Sequence, residues 1–269
     1  MRQLILAIGM LTAFYATARE FVTTGGIPYR DNNIHERCAL DIYHPASPAD
    51  STAALPVVVW FHGGSLTGGF RHFPDGMLDG KYVIVSPSYR LIPEVTVNEC
   101  IDDAAAALAW TIDSIAAYGG DPSRIFVTGH SAGGYLTSMI GLDKSRLAKY
   151  GKDPDSLAGL IPFSGQVITH FSHRSQQGIS TITPTIDDTA PLYHVRKDCP
   201  PYVIISGDRE LELFGRYEEN AYMWRMMKLQ GHPYVKIYEL DGYNHGDMAV
   251  PAIHILKNEI RNILSNRQQ

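Results

Sequence analysis

Apolar positions along this 269-residue chain recur with two different periods. The runs "PVVVWF" (56–61), "YVIVS" (82–86), "RIFVTG" (124–129) and "PYVIISG" (201–207) are continuous, β-branched and aromatic. Strands covered on both faces have that composition. "GLIPFS" (159–164) is strand-like as well, "CALDIY" (38–43) alternates like a strand at a sheet edge, and "PYVKIYEL" (233–240) reads as the last strand. From Val97 to Tyr118 the apolar residues step by three and four instead, through Ile101, Ala104, Leu108, Ile112 and Ile115. That spacing marks one buried helical stripe. Further helices are predicted over 132–142, over 215–231 with Gly231 as the stop, and over 251–264, where Pro251 suits a first turn. Strands alternating with helices predict an α/β fold: a mostly parallel central sheet with helices on both faces. In such sheets chemistry collects at the carboxyl ends of the strands.

Two stretches break this rhythm. "MRQLILAIGMLTAFYATA" (1–18) has a positive start at Arg2, an apolar run from Leu4 to Phe14 and an A-x-A ending. It is laid out as a secretory signal peptide cleaved after Ala18, and its apolar run is too short to span a bilayer. The expectation is an exported, secreted or periplasmic domain over 19–269 with no membrane span in its mature form. Residues 165–199 carry no sustained period and are polar, with histidines and prolines. A long irregular segment inside a compact domain is usually functional. Here it is expected to cover the site, with Gln166, His170, Phe171 and Tyr193 as candidate substrate contacts.

Composition narrows the classes. The chain is 45% hydrophobic and 19% charged, which suits a globular protein, and its net charge of −5 comes without a basic run for nucleic acid. Cys38, Cys100 and Cys199 are odd in number and too widely spaced for a zinc motif, so they read as small buried hydrophobes, or as one pair plus a free thiol.

The candidate chemistry lies in "FVTGHSAGGYL" (126–136). A strand runs into Ser131 and a helix follows at once, a turn so sharp that glycine is needed two residues before and two after. Gly129 and Gly133 meet that need, and the turn aims the Ala132 amide at the place where the serine oxygen stands. Acyl transfer also needs amides aimed at the developing oxyanion. Gly63 and Gly64 after the strand ending at Phe61 supply them together with Ala132, while the ring of His62 ties the loop to the backbone. Among the histidines His245 is distinct, because "LDGYNHGDM" follows the last strand at the carboxyl edge of the sheet. That is where a general base for Ser131 must sit. The orienting acid should follow "PYVIISG". Glu210 and Asp208 both qualify; in a strand-like run they project to the same side, and spacing favours Glu210.

With those residues in place, the sequence resembles the α/β-hydrolase carboxylesterases, more narrowly the hormone-sensitive-lipase-like and arylformamidase-like groups. "LDIYHP", "PVVVWFHGG", "SYRL", "DDAAAALAW", "GGDPSRIFVTGHSAGG" and "GDRE" match that pattern over about 20–264. The resemblance implies an α/β-hydrolase fold and ester hydrolysis by a Ser131–His245–acid triad, with no metal or organic cofactor. It places the acid three residues after the strand-end glycine, at Glu210, where relatives usually carry aspartate. It further implies short acyl esters, carbohydrate-linked acetyl or feruloyl esters, or a formyl amide as substrate. An amidase or peptidase on the same scaffold, or a non-catalytic binding module, are the other readings.

Overall fold

The computed structural model describes residues 19–30, 34–47, 54–267 of the chain. The leader expected at 1–18 lies outside them. Among the described residues eight strands form one sheet: β1 (Phe21–Pro28), β2 (Ala39–Pro45), β3 (Leu55–Phe61), β4 (Val83–Pro87), β5 (Gly120–His130), β6 (Gly159–Phe163), β7 (Tyr202–Gly207) and β8 (Val235–Leu240). Their order across the sheet is β1-β2-β4-β3-β5-β6-β7-β8. The first two pairings, β1 with β2 and β2 with β4, are antiparallel, and every later one is parallel.

β3 shows how the sequence builds two cores from one strand. Successive side chains point to opposite faces, so Val57, Val59 and Phe61 pack in one cluster while Val58 and Trp60 pack in the other. The first cluster takes α1 (Val97–Ser114), α2 (Ala132–Leu142) and Leu147 of α3 (Lys144–Ala148), together with Met223 and Met227 of α5 (Arg216–Leu229). The second takes α6 (Ala249–Asn266) through Ile253, Leu256, Ile260 and Ile263. Helices therefore cover both faces, as the alternating elements implied. The α1 stripe begins where Thr96 and Glu99 satisfy each other's backbone N–H in a capping box.

Two features depart from the sequence reading. β2 is not an edge strand, because β1 covers it. "FVTTGGIP" hides its strand character: most of its residues are exposed, and Gly25–Gly26 interrupt the register with β2. Within 165–199 the chain also forms a short helix, α4 (Phe171–Gln176), too brief for its period to be read. Cys38, Cys100 and Cys199 are all buried and free. No helix among the described residues is long and apolar enough to cross a membrane.

Candidate active site

The carboxyl ends of β3, β5, β6 and β7 and the loop after β8 converge on Ser131. This serine adopts φ 57° and ψ −116°, a left-handed strain held by its surroundings. Its N–H donates to the Phe163 carbonyl (2.9 Å) and its own carbonyl accepts from Tyr135 N–H (3.0 Å). The flanking glycines are required by contact. A Cβ at Gly129 would lie 2.5 Å from the Phe61 carbonyl oxygen, and one at Gly133 only 2.0 Å from it. The turn thus presses the start of α2 against the end of β3.

That same approach sets the amides. A Cβ at Gly63 would stand 3.3 Å from the Ser131 Cβ. Gly64 has φ +114°, where a side chain would be strained. The N–H groups of Gly63, Gly64 and Ala132 meet no backbone acceptor among the described residues. They are free to serve an oxyanion. His62 behaves as its position suggested: Nδ1–H donates to the Gly63 carbonyl (2.7 Å) and the ring stacks on Tyr89 at 4.3 Å. Burial holds His62 down to about 4, so the ring stays neutral.

His245 Nε2 lies 2.9 Å from Ser131 Oγ. Its Nδ1 lies 2.7 Å from Oε2 of Glu212, a residue the sequence reading did not single out. Glu210 and Asp208, the acids expected from spacing, are elsewhere. The chain does not continue as a strand past Gly207. It turns, with the Asp208 carbonyl accepting from both Leu211 N–H (3.0 Å) and Glu212 N–H (2.9 Å). This turn leaves the Glu210 side chain in solvent and brings Glu212 inward. The Asp208 carboxylate is occupied elsewhere, accepting from Glu210 N–H (2.9 Å) within the turn and from Gly242 N–H (2.8 Å) in the loop after β8. The missed signal was Asp208 as a turn-former, since aspartate commonly bonds a backbone amide two residues on.

Glu212 is enclosed by donors. Oε1 accepts from Ser164 Oγ (2.5 Å) and Gly207 N–H (3.0 Å). Burial alone would raise its pKa, but the hydrogen bonds and charge of its neighbours, His245 foremost, outweigh that and hold it at about 2. An ionised carboxylate only accepts, so His245 Nδ1 carries the proton and Nε2 keeps a lone pair for the Ser131 hydroxyl. Ser164 Oγ also lies 3.0 Å from His245 Nδ1, and its backbone takes the left-handed φ of 45°.

The irregular segment does pack beside this centre. Ser172 Oγ donates to the Ser65 carbonyl (2.6 Å) in the glycine loop, and Tyr135 OH donates to the Thr189 carbonyl (2.6 Å). Its candidate contacts divide. Gln166 is buried and its Oε1 accepts from Phe171 N–H (2.9 Å). His170 is buried too, stacked on Phe171 at 4.7 Å and capping α4 through Ser172 N–H. These two build the wall rather than face a ligand. Phe171 meets Phe214 edge-on at 6.4 Å. Phe214, 60% exposed, helps line a cavity of about 340 Å³ with Ile168, Ile182 and Arg174. Tyr193 is not brought to the triad. It lines a separate cavity with Leu192, Tyr222 and Met226.

Comparison with known proteins bears on the family and the fold. The BD-FAE family model matches residues 40–212. Carboxylesterase NlhH of Mycobacterium tuberculosis is 42% identical over 104 residues, 37% of this chain and 32% of that one. The probable carboxylic ester hydrolase LipM of the same species is 26% identical over 213 residues, 70% of this chain and 48% of that one. The chain thus spans about a third to a half of these curated relatives. Among solved structures, a truncated carbohydrate esterase from gut microbiota superimposes with a TM-score of 0.72 at 16% identity, covering 92% of this chain and 97% of that one. Esterase B from Lactobacillus rhamnosis does so with a TM-score of 0.74 at 18% identity, covering 92% and 87%. Both share the fold.

Proposed function

Because the chain belongs to the BD-FAE family and has the α/β-hydrolase fold, we propose that it is a carboxylic ester hydrolase acting through Ser131, His245 and Glu212. The observation that carries this reading is the unbroken relay from Ser131 Oγ to His245 (2.9 Å) and on to Glu212 (2.7 Å), beside three free amides. Ser131 Oγ attacks the ester carbonyl as His245 Nε2 takes its proton. Glu212 accepts the Nδ1–H bond throughout and stabilises the imidazolium. The amides of Gly63, Gly64 and Ala132 hold the oxyanion. His245 then protonates the leaving alcohol, and an acyl group remains on Ser131. Water enters, gives its proton to His245 and attacks the acyl carbonyl; collapse releases the carboxylic acid and returns the proton to Ser131.

The substrates in this reading are short acyl esters or acetyl and feruloyl groups linked to carbohydrate, met outside the cytoplasm after removal of the leader. The match to a carbohydrate esterase fold and the layout of residues 1–18 support it. Replacing Ser131 with alanine is expected to abolish hydrolysis of p-nitrophenyl acetate, and retained activity overturns the mechanism. A panel of acetyl, feruloyl and formyl substrates ranks the acyl group. N-terminal sequencing of the exported protein checks cleavage after Ala18.

A further inference from the structure

Acyl transfer as described gives His130 no task. It ends β5 directly before Ser131, and its ring lies against the His245 ring with centroids 4.8 Å apart. His130 Nε2 is 2.7 Å from the His245 carbonyl oxygen. A carbonyl only accepts, so the proton is on Nε2.

The loop carrying His245 needs such a fastening. Residues 241–247 are exposed apart from the half-buried His245. Upstream, the loop is held by Asp208, whose N–H donates to the Tyr243 carbonyl (2.8 Å) and whose carboxylate accepts from Gly242 N–H (2.8 Å). Downstream, Asn244 bonds within the loop and to the start of α6: it accepts from the N–H groups of Gly246, Asp247 and Met248 and donates Nδ2–H to the Asp247 carboxylate (2.7 Å). Among the described residues, the bond from His130 is the one that grips the backbone of His245 itself.

We propose that His130 is a positioning residue for the base: its Nε2–H bond to the His245 carbonyl keeps the His245 ring within reach of both Ser131 and Glu212. The proposal rests on the triad reading above. Its magnitude follows from geometry, because a displacement of about 1 Å at a reacting group costs on the order of a hundredfold in rate. The choice of histidine also makes electrical sense. A cation beside His245 would oppose formation of the imidazolium. The ionisable groups near the His130 ring are His245, Glu212 and Arg216; burial first, and His245 next, hold the ring down to about 4. The donor is therefore uncharged at neutral pH.

The test compares His130→Leu, which removes the donor, with His130→Gln, whose amide nitrogen reaches to about the same place. Ser131→Ala is run beside them. With p-nitrophenyl acetate, the Leu variant is expected to lose kcat by roughly ten- to a hundredfold while KM changes less than about twofold; the Gln variant is expected to recover to within about threefold of wild type. Amide hydrogen exchange over 242–247 should quicken in the Leu variant and return towards wild type in the Gln variant. If Leu prevents folding, Met takes its place with the same expectations. Wild-type kcat in the Leu variant, or equal impairment of folded Leu and Gln variants, overturns the proposal. Failure of the triad reading is distinct: activity would then survive in Ser131→Ala, and loop exchange alone decides, with unchanged exchange in the Leu variant counting against His130.

Discussion

At the scale of single residues, the assignment that separates structure from spacing is Glu212. Replacing it with glutamine keeps the shape but removes the charge that fixes the His245 tautomer and offsets the imidazolium. The expected loss in kcat is about a thousand- to ten-thousandfold. Glu210→Gln is expected to change kcat less than about twofold, because its side chain stands in solvent. Steady-state kinetics on the two variants side by side reads the difference directly. Ser164→Ala removes one of the donors on Glu212 Oε1 and leaves Gly207 N–H in place, so a milder loss, roughly tenfold, is expected. Ser131 and His245 were legible because each sits at a strand end that the hydrophobic pattern had already located. Glu212 was not, because alternation was carried past Gly207 into residues where Asp208 closes a turn. His130 and Ser164 were invisible for another reason. Their partners lie 115 and 48 or 81 positions away in the chain, and no local pattern encodes such a meeting.

At the scale of elements, the elbow between β5 and α2 is the joint on which the site depends. The alternating strands and helices foretold it, since the continuous runs at 124–129 and 132–142 leave only His130 and Ser131 between them. Gly133→Ala tests the joint. Its Cβ would fall 2.0 Å from the Phe61 carbonyl oxygen, so β3 and α2 must separate, and with them Gly63 and Ser131. Loss of soluble protein, or a folded protein with kcat lowered by more than about a hundredfold, is expected; wild-type kinetics would show that the close approach is dispensable. Elements with long periods were read correctly. β1 and α4 were not, as one carries two glycines and little buried surface and the other spans less than two turns. The 165–199 segment was rightly singled out as irregular, but side-chain direction inside it follows tertiary contacts. Gln166 and His170 consequently turned inward, while Phe214 from another loop came to line a cavity there.

At the scale of the whole molecule, buried histidines set the response to acid. Burial holds His62 and His130 down to about 4, and lowers His170 and His232 as well. The unfolded chain takes up protons on these groups below about pH 6.5 while the folded chain refuses them, so their contribution is complete above that pH and is lost as pH falls towards 4. Glu212 acts in the same direction lower down: it stabilises above its unfolded value near 4.5 and ceases to do so as pH falls through about 2. Glu219, raised by burial, opposes this trend as a single carboxyl. Urea midpoints measured from about pH 7 down to pH 4 should fall steadily, each such histidine contributing up to about 1.4 kcal/mol per pH unit; a flat profile would show these rings to be protonated in the folded state. The central claim, that Ser131 is an activated nucleophile in acyl transfer, is tested most directly by a fluorophosphonate probe followed by peptide mass mapping. The expected result is a single adduct on Ser131 with loss of ester hydrolysis in step with labelling, whereas an unlabelled protein, or an adduct on another residue, would contradict it.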